Sequence, residues 1–188
     1  MDRESYQVRR AEAEDVSLLP DIERMAASLF RTYPSDLGLT EDNYENVNSV
    51  ETFADAQRSG RLWVATVTSG SIVGFALVTE LSGYAHLDEL DVLPSHGRQG
   101  IGSALLAAVS SWAQEGGYPA VTLRTFRDVP WNGPFYRSRG FRVVESSPLS
   151  SRHLELEASE RRRGLRTDLR VTMAYNTAGN LRMERARI

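Results

Sequence analysis

The sequence predicts a single-domain α/β fold: one mixed sheet with helices on both faces. Three observations carry this. The chain has 188 residues, the size of one domain with a core of its own. Stretches with a period of two alternate with stretches of helical period. Two strands joined by a tight turn precede strand–helix–strand units, and that order gives a sheet with mixed neighbours.

Taken in order, residues 6–10 alternate like a strand. Leu18, Ile22, Met25 and Leu29 recur at helical spacing, so residues 15–30 read as an amphipathic helix with Pro20 in its first turn. Residues 32–48 are polar and read as a long loop. Val50, Phe53 and Ala54 mark a short helix closed by Gly60. Strands are expected over 61–67 and 72–81, joined by the turn Thr68-Ser69-Gly70-Ser71, and over 84–93 before Pro94. Residues 100–114 form a helix with Ala104, Leu105, Ala108 and Trp112 on one face, stopped by Gly116 and Gly117. A strand over 121–126, a short helix over 132–139, and strands over 141–145 and 169–175 complete the sheet. Residues 146–165 are polar and rich in Arg and Glu. The domain is expected over 1–175, with 176–188 a poorly ordered tail.

Composition excludes several chemistries. Hydrophobic residues make up 41% and charged residues 25%, ordinary for a globular protein outside a membrane. All 22 basic side chains are arginine; there is no lysine and no cysteine. Schiff-base enzymes, Lys-dependent phosphate loops and thiol nucleophiles are thereby removed. The net charge of −3 gives no basic excess for nucleic acid. Arg161-Arg162-Arg163 follows Glu155, Glu157 and Glu160, a balanced solvated face. No apolar run has membrane-spanning length, and a cytoplasmic protein is expected.

Two stretches carry chemistry. The first runs Leu87-Asp88-Glu89-Leu90-Asp91-Val92-Leu93-Pro94-Ser95-His96-Gly97-Arg98-Gln99-Gly100-Ile101-Gly102-Ser103. It reads as strand, glycine turn and helix start. Close backbone approach and a helix N-terminus make that an anion site suited to a pyrophosphate, with Arg98 as an added donor. Leu105 stands where a dinucleotide fingerprint needs its third glycine, which disfavours a nicotinamide enzyme. The second stretch contains Trp131-Asn132-Gly133-Pro134-Phe135-Tyr136 and Gly140-Phe141. Asn132 is a good N-cap, Pro134 falls in the first helical turn and Gly140 fits a C-cap. Taken alone, Tyr136 beside a helix reads more readily as packing than as catalysis.

Together the two stretches resemble the GCN5-related N-acetyltransferase (GNAT) superfamily over residues 6–175. Gly100-Ile101-Gly102 match the glycines of its Arg/Gln-x-x-Gly-x-Gly/Ala turn, with Gly97 where Arg or Gln is usual. Asn132, Phe135, Tyr136, Gly140 and Phe141 match its later Asn and Phe-Tyr-x-x-x-Gly-Phe positions. The resemblance implies a mostly antiparallel sheet with splayed central strands. It implies acetyl-CoA as cosubstrate and direct transfer to a primary amine. It assigns cofactor contacts to Asp91, Val92, Leu93, Arg98, Gln99, Gly100, Ile101, Gly102, Ser103, Asn132 and Phe135, with no metal. Tyr136 takes the place of the residue that protonates the leaving thiolate.

The base stays open between Glu89 and Asp88. Strict alternation puts His86 and Asp88 on one face and Glu89 on the other. The bland alternative is a solvated acidic face that only attracts a cation. His153 has no assigned role. Residues 31–48 and 146–167 frame the acceptor pocket in this reading, with Asp36, Glu41, Asp42 and Glu45 as candidate carboxylates and Tyr33 and Trp131 as candidate walls. A homodimer is common in the family. The reading from another class is a non-catalytic acyl-CoA-binding domain of the same fold.

Overall fold

A computed structural model describes residues 5–33, 36–145 and 151–177. Seven strands form one sheet: β1 (Tyr6–Arg10), β2 (Leu62–Val67), β3 (Ile72–Leu81), β4 (Tyr84–Val92), β5 (Ala120–Phe126), β6 (Arg142–Val144) and β7 (Arg170–Asn176). Their order is β1-β2-β3-β4-β5-β7-β6. Every neighbouring pair is antiparallel except β4–β5. Six α-helices accompany them: α1 (Leu19–Ala27), α2 (Glu41–Glu45), α3 (Val50–Arg58), α4 (Ile101–Glu115), α5 (Gly133–Arg137) and α6 (Ser151–Arg162). The expected mixed α/β fold with helices on both faces is present.

Each sheet face has its own core. On one, Trp63, Ala76, Val78, Leu87 and Val121 pack under Leu105, Leu106 and Val109 of α4. On the other, Val64, Phe75 and Leu77 pack under Leu19 and Ile22 of α1 and Phe53 of α3. Each large side chain so buried contributes roughly 1.5–3 kcal/mol.

The helix faces differ from the expected ones. In α1 the buried stripe is Leu19, Ile22, Glu23 and Ala26, while Leu18 and Met25 stand 53% and 48% exposed. Leu18 and Leu29 fall in short 3₁₀ turns flanking α1, so the single long helix expected over 15–30 is three pieces. In α4 the stripe is Ile101, Leu105, Val109 and Ala113, one turn apart, with Ala104, Ala108 and Trp112 at its margin.

Two segments read as polar connections contain helices. A capping box of Thr40 and Asn43 starts α2. Helix α6 lacks an apolar stripe, which is why its sequence gave no periodic signal. The tail expected from residue 176 lies outside the described residues beyond Thr177; β7 itself runs to Asn176.

Candidate active site

The central strands β4 and β5 pair at only two rungs, Ala85–Val121 and His86–Thr122. They then diverge into a fork. Past His86, the edge of β4 that faces β5 has no strand partner among the described residues. An unpaired strand edge offers backbone donors and acceptors to an extended ligand.

One arm of the fork leads into the glycine turn. Arg98 and Gly100 both adopt left-handed backbone, φ 59° and 94°. A side chain at Gly100 would be strained there and would also press on the Tyr6 hydroxyl, 3.1 Å away. The Ala104 N–H bonds the Gly100 carbonyl, so the earlier amides of α4, at Ile101, Gly102 and Ser103, lie in the turn that has no intrahelical acceptor. They face outward with the positive end of a 15-residue helix behind them. Gln99 is half-buried and Arg98 exposed beside them. Leu93 behaves differently from the expectation of an available amide: its N–H is spent on the Val73 carbonyl at 2.8 Å.

Helix α5 closes the other arm. A Cβ on Gly133 would lie 2.1 Å from the Arg127 carbonyl oxygen, so only glycine lets α5 sit against the end of β5. The Phe135 ring lies 3.4 Å from where a Gly102 Cβ would be. Arg139 stacks over that ring at 3.8 Å and donates to the Ser103 Oγ at 2.9 Å. Arg139 is therefore a second guanidinium beside the first turn of α4, missed because it sits 36 residues from Ser103. Asn132 occupies the N-cap position but makes no capping bond, and its Oδ1 is buried without a partner. Paired bonds from Gly140 N–H to the Arg137 carbonyl and from Phe141 N–H to the Tyr136 carbonyl end the helical turn as expected. Tyr136 is buried between Phe135 and Phe141. Burial, reinforced by Glu89 and Asp91, raises its phenol pKa well above the ordinary value, so it holds its proton at neutral pH.

Strict alternation along β4 does not hold. Leu87 pairs with Val78 and Glu89 with Leu77, leaving Asp88 as the extra residue of a β-bulge. The bulge moves Glu89 to the face it would otherwise have missed, so His86, Asp88 and Glu89 line one cavity of about 330 Å³. Glu23 of α1 joins them there. Burial lifts Asp88 to about 6. Burial, with Asp91, Glu23 and Asp88 nearby, pushes Glu89 well above the carboxylate range. Asp91 is raised by burial and Glu23. Neither Asp91 nor Tyr136 lines this cavity, yet both interact electrostatically with Glu89.

His153 is fully buried, contrary to its reading as a residue without a role. Its Nε2 lies 3.2 Å from the Thr122 Oγ1, whose other contact is His86 Nδ1 at 2.9 Å. Burial, helped by His153, pushes His86 down to about 3, so it is a neutral hydrogen-bonding group and no base at neutral pH. The acidic loop behaves as the solvated alternative holds: Glu41 pairs with Arg31, Glu45 with Arg24, and Asp36 caps Gly38. Trp131 packs on Phe30 and Tyr33 packs on Trp131, and neither lines the cavity. From that region Asn46, Val47 and Asn48 line it instead. Another wall comes from α6, through Leu156, Ser159 and Glu160, with Arg163 just beyond its end.

Comparison with known proteins agrees with this geometry. The sequence profile of the Acetyltransferase (GNAT) family matches residues 22–141, well over half the chain. Among solved structures, the PaiA N-acetyltransferase of Thermoplasma acidophilum, in complex with coenzyme A, is 16% identical; the alignment covers 92% of this chain and 99% of that one with a TM-score of 0.66. The ribosomal-protein-S18-alanine N-acetyltransferase of Escherichia coli is 18% identical, with 98% and 100% covered and a TM-score of 0.63. A GNAT-family acetyltransferase of Staphylococcus aureus Mu50 is 16% identical, with 92% and 99% covered and a TM-score of 0.67. These likenesses share the fold, and the profile match extends from α1 through the glycine turn to Phe141: the chain belongs to the acetyltransferase (GNAT) family.

Proposed function

We propose that the protein transfers an acetyl group from acetyl-CoA to a primary amine by direct attack in a ternary complex. One observation carries the reading. The β4–β5 fork is flanked by the first-turn amides of α4 and by a carboxylate-lined cavity. A thioester threaded through the fork and an amine in the cavity would meet beside Tyr136.

Acetyl-CoA supplies the thioester and its thiol leaving group. The residues of the chain do the rest. The amides of Ile101, Gly102 and Ser103 receive the pyrophosphate, with Arg98 as counter-ion and Gln99, Gly100 and Phe135 shaping the cradle. The backbone of Asp91 and Val92 lies along the pantetheine arm and supplies the donor for the developing oxyanion. The unpartnered Asn132 Oδ1 accepts from the same arm. The carboxyl pair Asp88 and Glu89 takes a proton from the ammonium and acts as one coupled base. The freed amine attacks the carbonyl carbon; the C–N bond forms and the C–S bond breaks. Tyr136 gives its proton to the departing sulfur. With no cysteine in the chain, no acetyl-thiol intermediate is needed.

The test joins acetyl-CoA stabilisation in a melting assay to thiol release with amines, amino acids and peptides. Stabilisation with acceptor-dependent thiol release is expected. Stabilisation with no release for any acceptor overturns the transferase reading in favour of an acyl-CoA-binding domain.

A further inference from the structure

The cavity has two poles. One wall, from β4 and α1, carries Asp88, Glu89 and Glu23. The Asp88 Oδ2 there is buried without a hydrogen-bond partner. From β5 and β7 the cavity is also lined by Arg124 and Arg170, and just past α6 by Arg163. Glu160 lies between two of these guanidiniums, 2.8 Å from Arg124 and 3.0 Å from Arg170. A single carboxylate does not saturate two guanidinium forks, each with five N–H donors. Glu157, 3.4 Å from Arg124, is also engaged by Arg161.

The surplus is visible atom by atom. The Arg124 side chain is 4% exposed. Its Nη2 lies in an ion pair with Glu160, its Nε also donates to Glu160 and its Nη1 donates to Thr172. The Arg170 Nε, by contrast, is buried without a hydrogen-bond partner. A buried donor and a buried acceptor left unused across one cavity call for a ligand with both complementary groups.

We propose that the acceptor is a small aminocarboxylate, such as a free amino acid. Its ammonium faces Asp88 and Glu89, and its carboxylate docks on the Arg124–Arg170 side with Arg163 at the mouth. The proposal rests on the acetyl-transfer reading and adds the substrate class. The cavity volume, about 330 Å³, suits a ligand of that size. A lone amine would satisfy one wall only.

The experiment compares three matched acceptors with the full chain and acetyl-CoA: an amino acid, its carboxamide, and the amine left by decarboxylation. The expected kcat/KM for the amino acid is at least about tenfold higher than for the other two, because a site built for a polar group rejects analogues that lack it. Arg170→Gln should narrow that ratio. Arg170 also holds Glu160, so Arg163→Gln, at a residue with no ion pair among the described residues, is the second variant and should narrow it too. A ratio near one in the unmodified protein, or an unchanged ratio in both variants, overturns the proposal. Thiol release with simple amines alone overturns the substrate class and keeps the transferase. No release with any of the three, or with the wider panel, overturns both.

Discussion

Asp88 shows how one inserted residue re-aims a strand. The apolar positions of β4 run Ala85, Leu87, Leu90 and Val92, and the step of three between Leu87 and Leu90 breaks the period of two. That break is the trace of the bulge, which a reading by strict alternation passes over. It places Asp88 and Glu89 together in the cavity, whereas strict alternation separates them. Asp88, lifted by burial to about 6, ionises as the pH rises through that value. The kcat/KM profile is therefore expected to climb across about pH 5–7, and Asp88→Asn to flatten that limb and lower the plateau. Stability moves the other way. The folded pKa lies above the ordinary 3.8, so the folded state binds the extra proton between about 4 and 6. The contribution of Asp88 to stability is full below that window and lost as pH rises through it. Asp88→Asn should raise the melting temperature at neutral pH by a few degrees, while activity falls; a lower melting temperature would contradict the burial argument. Tyr136→Phe should lower kcat at least about tenfold and leave acetyl-CoA affinity near its original value, within the usual span of general-acid contributions. An unchanged kcat would return Tyr136 to simple packing.

Among the elements, α6 was the least legible. It carries charged residues all round, and its fit is long-range: Arg124 of β5 and Arg170 of β7 reach Glu160, while His153 reaches Thr122. No local pattern announces such pairs. Burial alone would push Glu160 up, but Arg170 and Arg124 outweigh it and hold the carboxyl below its ordinary range. Removing one cation strands that charge. Arg124→Met is expected to cost about 3–5 kcal/mol in urea unfolding, the scale for breaking a buried ion pair. A cost under about 1 kcal/mol would mean that Arg170 alone suffices. By contrast, α4 and its glycine turn were readable, because Gly100 stands where the left-handed backbone needs it. Only the phase of the buried stripe was off, since Ile101 rather than Ala104 begins it.

For the whole molecule, the strand order and the fork follow from connectivity: a meander of β1 to β4, then a crossover through α4 that sets β5 parallel to β4. The alternation of periods foretold the mixed sheet, and the splayed strands were expected from the family resemblance. The cavity wall was not foretold, because it is assembled from α1, β4, β5, β7 and α6 together. Composition adds one consequence at this scale. With no lysine, the N-terminal amine is the only ordinary amine in the sequence. After long incubation with acetyl-CoA, intact mass should show at most one stable N-acetyl addition; several would contradict this. The central claim is acetyl transfer to an amine at the fork. Its most direct measurement follows an isotopically labelled acetyl group from acetyl-CoA by mass spectrometry, in both the free acceptor and the protein. Label in the N-acetylated acceptor, growing in step with free coenzyme A and sharply reduced in Tyr136→Phe, is the predicted result. Acetyl-CoA that binds and stays intact beside every amine offered would contradict it.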